Sequence, residues 1–119
     1  MSVSAPTAFA FAPDGRILIT TQGGDLDVFS GGSLVSPAAL SLAGVVCNGE
    51  EQGLLGVAVD PAFAGNGFVY LYYTNDRAGT CENRVSRFTM SGNTINPASE
   101  LVLVDRIPDE LDPQSLRFI

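Results

Sequence analysis

Two stretches of this sequence follow the same pattern: AFAFAPDGRILITTQ at residues 8–22 and LGVAVDPAFAGNGFVYLYYT at residues 55–74. In each stretch, small and apolar residues meet a proline, a glycine-containing turn follows, and a strand of bulky residues comes next. The separation of Pro13 and Pro61 falls in the range of about 40–50 residues that is typical of four-stranded propeller blades. A β-sandwich would explain the short strands nearly as well, but the repeat favours a β-propeller.

The pattern is β along the whole chain, with strands bounded by Gly, Pro, Asn and Asp. We predict a first blade at about residues 5–42, with strands at 7–12, 16–21, 25–29 and 33–40. A second blade is predicted at about residues 53–107, with strands at 53–59, 68–74, 83–90 and 101–107, followed by a tail at 108–119. The fold class is therefore all-β, with about two four-stranded antiparallel blades.

The second repeat allows a finer prediction. Residues 54–59 and 69–74 are expected to be neighbouring antiparallel strands, with Gly53 and Gly56 close to a crowded central channel where a side chain has little room. Two blades leave the ring incomplete, since a closed propeller needs at least four. The chain is expected either to be a piece of a longer protein or to close a ring with copies of itself.

Composition excludes several classes of function. The 119 residues are 45% hydrophobic and 16% charged, which indicates a globular chain. A net charge of −7 argues against a nucleic-acid partner, because a phosphate backbone requires clustered Lys and Arg. No apolar run approaches the ~18 residues of a membrane span, and no signal peptide is recognisable. The absence of histidine removes the commonest general base and the commonest metal ligand.

Residues 51–74, EQGLLGVAVDPAFAGNGFVYLYYT, followed by residues 82–104, ENRVSRFTMSGNTINPASELVLV, resemble the glucose/sorbosone dehydrogenase family. Four motifs in order carry the resemblance: Gly53-Leu54-Leu55-Gly56, Asp60-Pro61, Asn66-Gly67, and Asn83-Arg84-Val85-Ser86-Arg87-Phe88. The resemblance implies a six-bladed propeller that oxidises a sugar substrate with pyrroloquinoline quinone (PQQ) and calcium. The family also contains relatives without demonstrated sugar oxidation, so membership does not fix the activity.

By the same resemblance, Glu51 would lie at the top of the channel in the vicinity of PQQ, because the family places a Gln or Glu two residues before the Gly-Leu-Leu-Gly motif. The alternative is that Glu50 and Glu51 are a solvated pair in a loop. Asp25 and Asp27 could form part of a calcium site. Their alternation with apolar residues instead favours the polar face of an outer strand.

The sequence departs from the family where its catalytic histidine is expected. If Asp112, Gln114, Ser115 and Arg117 are aligned with one branch of the family, the position of the base holds Pro113, which has no titratable group. The calcium ligands and the basic residues that hold the quinone carboxylates would come from later blades. We therefore predict no catalytic residue and no metal ligand in this chain, and neither PQQ nor calcium bound by the chain alone.

Cys47 and Cys81 are expected in two loops on one face, beside Glu51. Some secreted members of the family have a Cys pair in these loops, so the resemblance implies a disulfide, the alternative being two unrelated free thiols. A disulfide would indicate an extracellular or periplasmic protein.

The function expected is that of an N-terminal fragment of a PQQ-dependent sugar dehydrogenase-like propeller, inactive alone. Two alternatives stay open: a non-catalytic module that binds a protein or a glycan through the face with Cys47, Glu51 and Cys81, and a unit of which three copies close a ring.

Overall fold

A computed structural model describes residues 5–49 and 51–108 of the chain, and these residues form two antiparallel β-sheets. The first sheet contains β1 (Pro6–Phe11), β2 (Ile17–Thr21), β3 (Asp25–Ser30), β4 (Ser33–Leu34) and β5 (Leu40–Ser41). Its order is β1-β2-β3-β4, and β5 also pairs with β3. Each of the first three strands is joined to the next by a short turn, as the Pro13-Asp14-Gly15 and Gly23-Gly24 signals predict.

The second sheet contains β6 (Leu54–Val59), β7 (Phe68–Arg77), β8 (Thr80–Ser91), β9 (Thr94–Ile95) and β10 (Leu101–Pro108). Its order is β6-β7-β8-β10, and β9 pairs with β8. The single-turn helix α1 (Phe63–Asn66) joins β6 to β7, and a 3₁₀ turn (Pro97–Ser99) precedes β10. The predicted pairing of residues 54–59 with 69–74 is confirmed, with Leu54 opposite Tyr73 and Val59 opposite Val69.

The two sheets are the two blades that the sequence predicts, and the all-β fold class is confirmed. Within residues 5–49 and 51–108 the sheets form an open pair, without a closed ring. No helix in this part of the chain has the length and apolar character needed to cross a membrane.

Two predicted boundaries were wrong. The strand expected at 33–40 is divided into β4 and β5, because Pro37 between them has no amide hydrogen to donate to β3. The loop expected between β7 and β8 is a hairpin that continues to Arg77 and resumes at Thr80. Its turn residues Ala78 and Gly79 both have positive φ, the conformation that a two-residue hairpin turn requires.

The core is one cluster to which both sheets contribute. In β7 the side chains of Val69, Leu71 and Tyr73 are buried, while the alternating residues Phe68, Tyr70 and Tyr72 are only half-buried, as the period of two in a strand dictates. From the first sheet, β2 and β3 bury residues that belong to the same cluster: Leu18, Leu26 and Val28.

Polar contacts also join the two sheets. The Thr7 hydroxyl in β1 donates to the carbonyl of Leu54, the first residue of β6. The amide of Ile95 donates to the Ala39 carbonyl at 3.0 Å, and the Arg16 guanidinium, after β1, donates to the Gly92 carbonyl. Strand β1, the first of the first sheet, therefore lies beside β6, the first strand of the second sheet.

Gly53, immediately before β6, approaches the end of the first sheet's β2 closely. It has a φ of +129°, and a β-carbon built on it would collide with the carbonyl oxygen of Gln22 in the first sheet. The crowding expected at Gly56 is absent among the described residues, because a β-carbon there meets only the Tyr72 β-carbon, at an ordinary 3.4 Å. The placement of both glycines beside a central channel stays a prediction, because the two described sheets do not close a ring.

We expect Gly53→Ala to lower the free energy of unfolding by about 3 kcal/mol or more, because the added carbon is strained at this φ and collides with backbone. Gly56→Ala, three residues further along the chain, is the matched control and should change this free energy by less than about 1 kcal/mol. Urea denaturation followed by circular dichroism measures both variants. Equal stability of the two would contradict the close approach of Gly53 to the first sheet.

Candidate functional site

The Glu51 loop, residues 42–53, connects the two sheets and carries the residue that the family resemblance points to. Glu51 lies in an exposed turn two residues before Gly53. The first half of the loop pairs with the end of β7: the Cys47 amide donates to the Thr74 carbonyl at 3.0 Å, and the Asp76 amide donates to the Val45 carbonyl at 2.9 Å. The loop therefore has a fixed entry point on the second sheet.

The first sheet contacts the middle of the Glu51 loop through Gln22. Its side-chain amide donates to the Gly49 carbonyl at 2.6 Å, and the Gly49 amide donates to the Gln52 side chain at 2.9 Å. Sequence reasoning missed Gln22. The only signal was its position as the last residue of the first repeat, directly before the turn between β2 and β3.

A buried polar pair fixes the end of the loop. The Gly53 amide donates to the Thr74 hydroxyl at 3.2 Å, and this hydroxyl donates to the Asn83 side-chain oxygen at 2.8 Å. Thr74 is 0% and Asn83 2% exposed, so these groups need partners inside the protein. Asn83 was noted as part of a family motif, and the structure gives it the task of holding the strand end next to the loop.

A disulfide joins Cys47 in the Glu51 loop to Cys81 near the start of β8. The structure thus has the bridge that the resemblance implied, but it places Cys81 in a strand, opposite Asp76 of β7, instead of in the expected loop. The bridge closes a sequence separation of 34 residues, which in a chain-entropy model stabilises the folded state by roughly 3–4 kcal/mol.

An open groove of about 290 Å³ lies beside the loop, and its lining carries no positive charge. Polar and acidic side chains contribute to it: Thr21, Gln22, Asp25, Asp27 and Asn48. Burial, and then the neighbouring charge of Asp25, raise the pKa of Asp27. Such surroundings repel an anion.

Most of the described arginines lie in contacts elsewhere. Arg16 pairs with Asp14 at 2.9 Å, Arg77 and Arg84 pair with Asp105, and Arg87 lies 3.9 Å above the Phe68 ring. Because PQQ is a tricarboxylate, it needs several cations, and the described residues around Glu51 do not fit it by themselves.

The described ranges also contain no group of three or more His, Cys, Asp or Glu side chains arranged to hold a metal ion. The alignment that puts Pro113 in place of a catalytic histidine falls outside the described residues.

A hydrogen-bonded network on the second sheet was also missed by sequence reasoning. The hydroxyls of Tyr73 and Ser86 both donate to the Glu100 carboxylate, and Arg84 forms a two-pronged pair with Asp105 at 3.1 and 3.0 Å. Burial, and then the hydrogen bond to Glu100, raise the pKa of Tyr73 to about 12. The network attaches β10 and the segment before it to β7 and β8.

A model of the Glucose / Sorbosone dehydrogenase family matches residues 3–115 of the chain. Among curated proteins, an uncharacterized protein of Synechocystis is 32% identical over 97 residues, which cover 76% of this chain and 24% of that protein.

Solved structures of sugar dehydrogenases are similar to the chain. A Thermus thermophilus protein assigned as an oxidoreductase (glucose dehydrogenase) has a TM-score of 0.79 and 33% identity, with 97% of this chain and 32% of that chain covered. The soluble aldose sugar dehydrogenase of Escherichia coli, in its apo-form, has a TM-score of 0.74 and 26% identity, with 88% and 30% covered. The PQQ-bound aldose sugar dehydrogenase of Streptomyces coelicolor has a TM-score of 0.72 at 23% identity, with 90% and 32% covered, and this likeness shows the fold alone. The chain spans about a quarter to a third of the length of these proteins.

The raised pKa of Tyr73 predicts a loss of stability at high pH. The folded state holds this proton more tightly than the unfolded state, so the contribution is complete below pH ~10 and is lost as the pH rises through about 12. We expect the wild-type protein to lose on the order of 2 kcal/mol between pH 10 and 12 that Tyr73→Phe does not lose. Denaturant titrations at pH 8, 10, 11 and 12 measure this difference. A gap between the two proteins that stays constant with pH would contradict the assignment.

Proposed function

Because the chain belongs to the glucose/sorbosone dehydrogenase family, we propose that it forms the N-terminal two blades of a PQQ-dependent sugar dehydrogenase-like propeller and is inactive by itself. The observation that supports this most is the Glu51 loop, which is attached to both sheets and leads directly into the Gly-Leu-Leu-Gly strand. The similarity to the Escherichia coli aldose sugar dehydrogenase supports a sugar as the substrate class.

Glu51 would contribute a polar contact at the edge of the cofactor site. Its side chain is exposed, in the loop whose Asn48 lines the groove, so its carboxylate can accept a hydrogen bond from a ligand. When bound, PQQ would supply the oxidising quinone, while the cations for its carboxylates, the calcium ligands and the base would come from outside the two described sheets. The chain contains no histidine, and carboxylates are weak bases near neutral pH.

The Cys47–Cys81 disulfide supports an extracellular or periplasmic location, because such bridges persist in oxidising compartments. The reducing cytosol would keep both thiols free. The location is therefore part of the proposal and depends on the bridge being formed in the cell.

We expect the purified chain to show no glucose-dependent dye reduction when excess PQQ and calcium are supplied. General-base catalysis is worth about 10²–10⁴ in rate, and the described residues supply neither a strong base nor a cationic cofactor site. The Escherichia coli aldose sugar dehydrogenase, assayed in parallel, controls for the assay itself. Glucose-dependent turnover that disappears in Glu51→Ala would overturn the inactivity, and Glu51→Gln would then show whether the charge is needed.

The second candidate is a ring closed by copies of this chain. It is favoured by exposed apolar side chains at both ends of the pair of sheets: Phe9 is 65% and Phe11 63% exposed on β1, and four successive residues of β10 are at least 40% exposed, Leu101–Val104. Monomeric proteins seldom leave large apolar patches exposed to solvent. Native mass spectrometry separates the candidates, because three copies of two blades give a trimer whereas the first proposal gives a monomer of 12.4 kDa.

A further inference from the structure

The Glu51 loop is attached to both sheets by side chains before Glu51 and by a backbone hydrogen bond after it. On the second sheet the tie is the Cys47–Cys81 disulfide, four residues before Glu51. On the first sheet the tie is the Gln22 amide, which holds the Gly49 carbonyl at 2.6 Å, two residues before Glu51. After Glu51, the carbonyl of Gly53 accepts a hydrogen bond from the Thr74 amide at 2.9 Å.

These ties restrict a short segment that would otherwise have many conformations. The ties lie close to Glu51 in the sequence, and each backbone residue that they restrain loses conformational entropy. Cys81 lies on β8, opposite Asp76, and Gln22 follows directly after β2, so both ties connect the loop to rigid strands. The backbone on both sides of Glu51, at Gly49 and Gly53, is therefore held relative to both blades.

We propose that Gln22 and the Cys47–Cys81 disulfide act together as a clamp that positions Glu51. Gln22, Cys47 and Cys81 are thus positioning residues for the site, an inference that rests on the proposed function of Glu51. Reduction of the bridge opens one side of the clamp, and loss of the Gln22 amide opens the other.

A small dithiol such as dithiothreitol tests the first side. The S–S bond between Cys47 and Cys81 breaks, two electrons and two protons form the two thiols, and dithiothreitol is oxidised to its cyclic disulfide. Alkylation of the native protein before and after this treatment, with intact mass as the readout, should count no thiol and then two. Two alkylatable thiols before reduction would overturn the disulfide side of the clamp.

Amide hydrogen exchange measured by mass spectrometry reports the position of the loop. In peptides covering residues 45–53, we expect exchange to rise about tenfold or more on reduction, and equally in a Cys47→Ser/Cys81→Ser double variant that does not respond to dithiothreitol. We expect Gln22→Met, which keeps the length of the side chain but removes its amide, to raise exchange about two- to tenfold there. Thr94→Val is the control, because it removes a hydrogen bond to Ser91 in the turn at the other end of β8.

Two comparisons separate a loss of the clamp from a loss of the fold. If the double variant exchanges faster in β7 and β8 as well, it has lost its fold, and Gln22→Met alone then decides. If Gln22→Met and reduction both leave exchange at 45–53 within twofold of the wild type, the clamp is overturned. The backbone ¹⁵N amide signal of Glu51 provides a readout that separates the clamp from a uniform loss of stability in a folded chain: it should shift in the clamp variants and stay in place in Thr94→Val.

The proposed function and the clamp would be contradicted by different measurements. Glucose turnover by the chain alone, or a trimer in native mass spectrometry, would contradict the proposed function and leave the exchange result intact. Unchanged exchange would contradict the clamp and leave the activity result intact.

Discussion

The close approach of Gly53 to the first sheet is the constraint on which the arrangement of the two blades depends. A β-carbon at this position would meet the Gln22 carbonyl, so only glycine lets β6 begin beside the first sheet. The same residue gives its amide to the Thr74 hydroxyl and its carbonyl to the Thr74 amide. One residue therefore permits the close contact between the sheets at this point and holds both the start of β6 and the end of the loop that carries Glu51.

Patterns that repeat along the chain were predictable from the sequence, and contacts between distant residues were not. The paired repeats, the β6–β7 pairing and the two-blade fold follow from alternation and turn residues, which act locally. The division of residues 33–40 was also encoded locally, by Pro37, but β-propensity in the flanking residues concealed it. The β7–β8 hairpin was missed because its polar residues resemble a loop, whereas the positive φ of Ala78 and Gly79 lets the strands continue.

The polar contacts of the site were the least predictable part. Tyr73 occurs in a run of aromatic residues that indicates only a strand, yet its hydroxyl reaches Glu100, 27 positions along the chain. Gln22 has no neighbours in the sequence that suggest a role, and its contact with Gly49 joins residues 27 positions apart in the chain. The position of Glu51 came from the family resemblance, since a glutamate in a polar loop has no pattern that separates a ligand contact from a solvated side chain.

The distribution of positive charge explains why these two blades would need the rest of a propeller. Arg77 and Arg84 both pair with Asp105, which keeps the pKa of that carboxyl below its usual range, and Arg84 also contacts the Tyr73 hydroxyl. The cations that attach β10 to the sheet are therefore neutralised where they lie, while the groove beside the Glu51 loop is left with Asp25 and Asp27. An anionic cofactor gains nothing from this surface, because its negative charge would be opposed by acidic neighbours at short range. Under the proposed function, Glu51 would therefore contribute to cofactor binding together with cations from other blades.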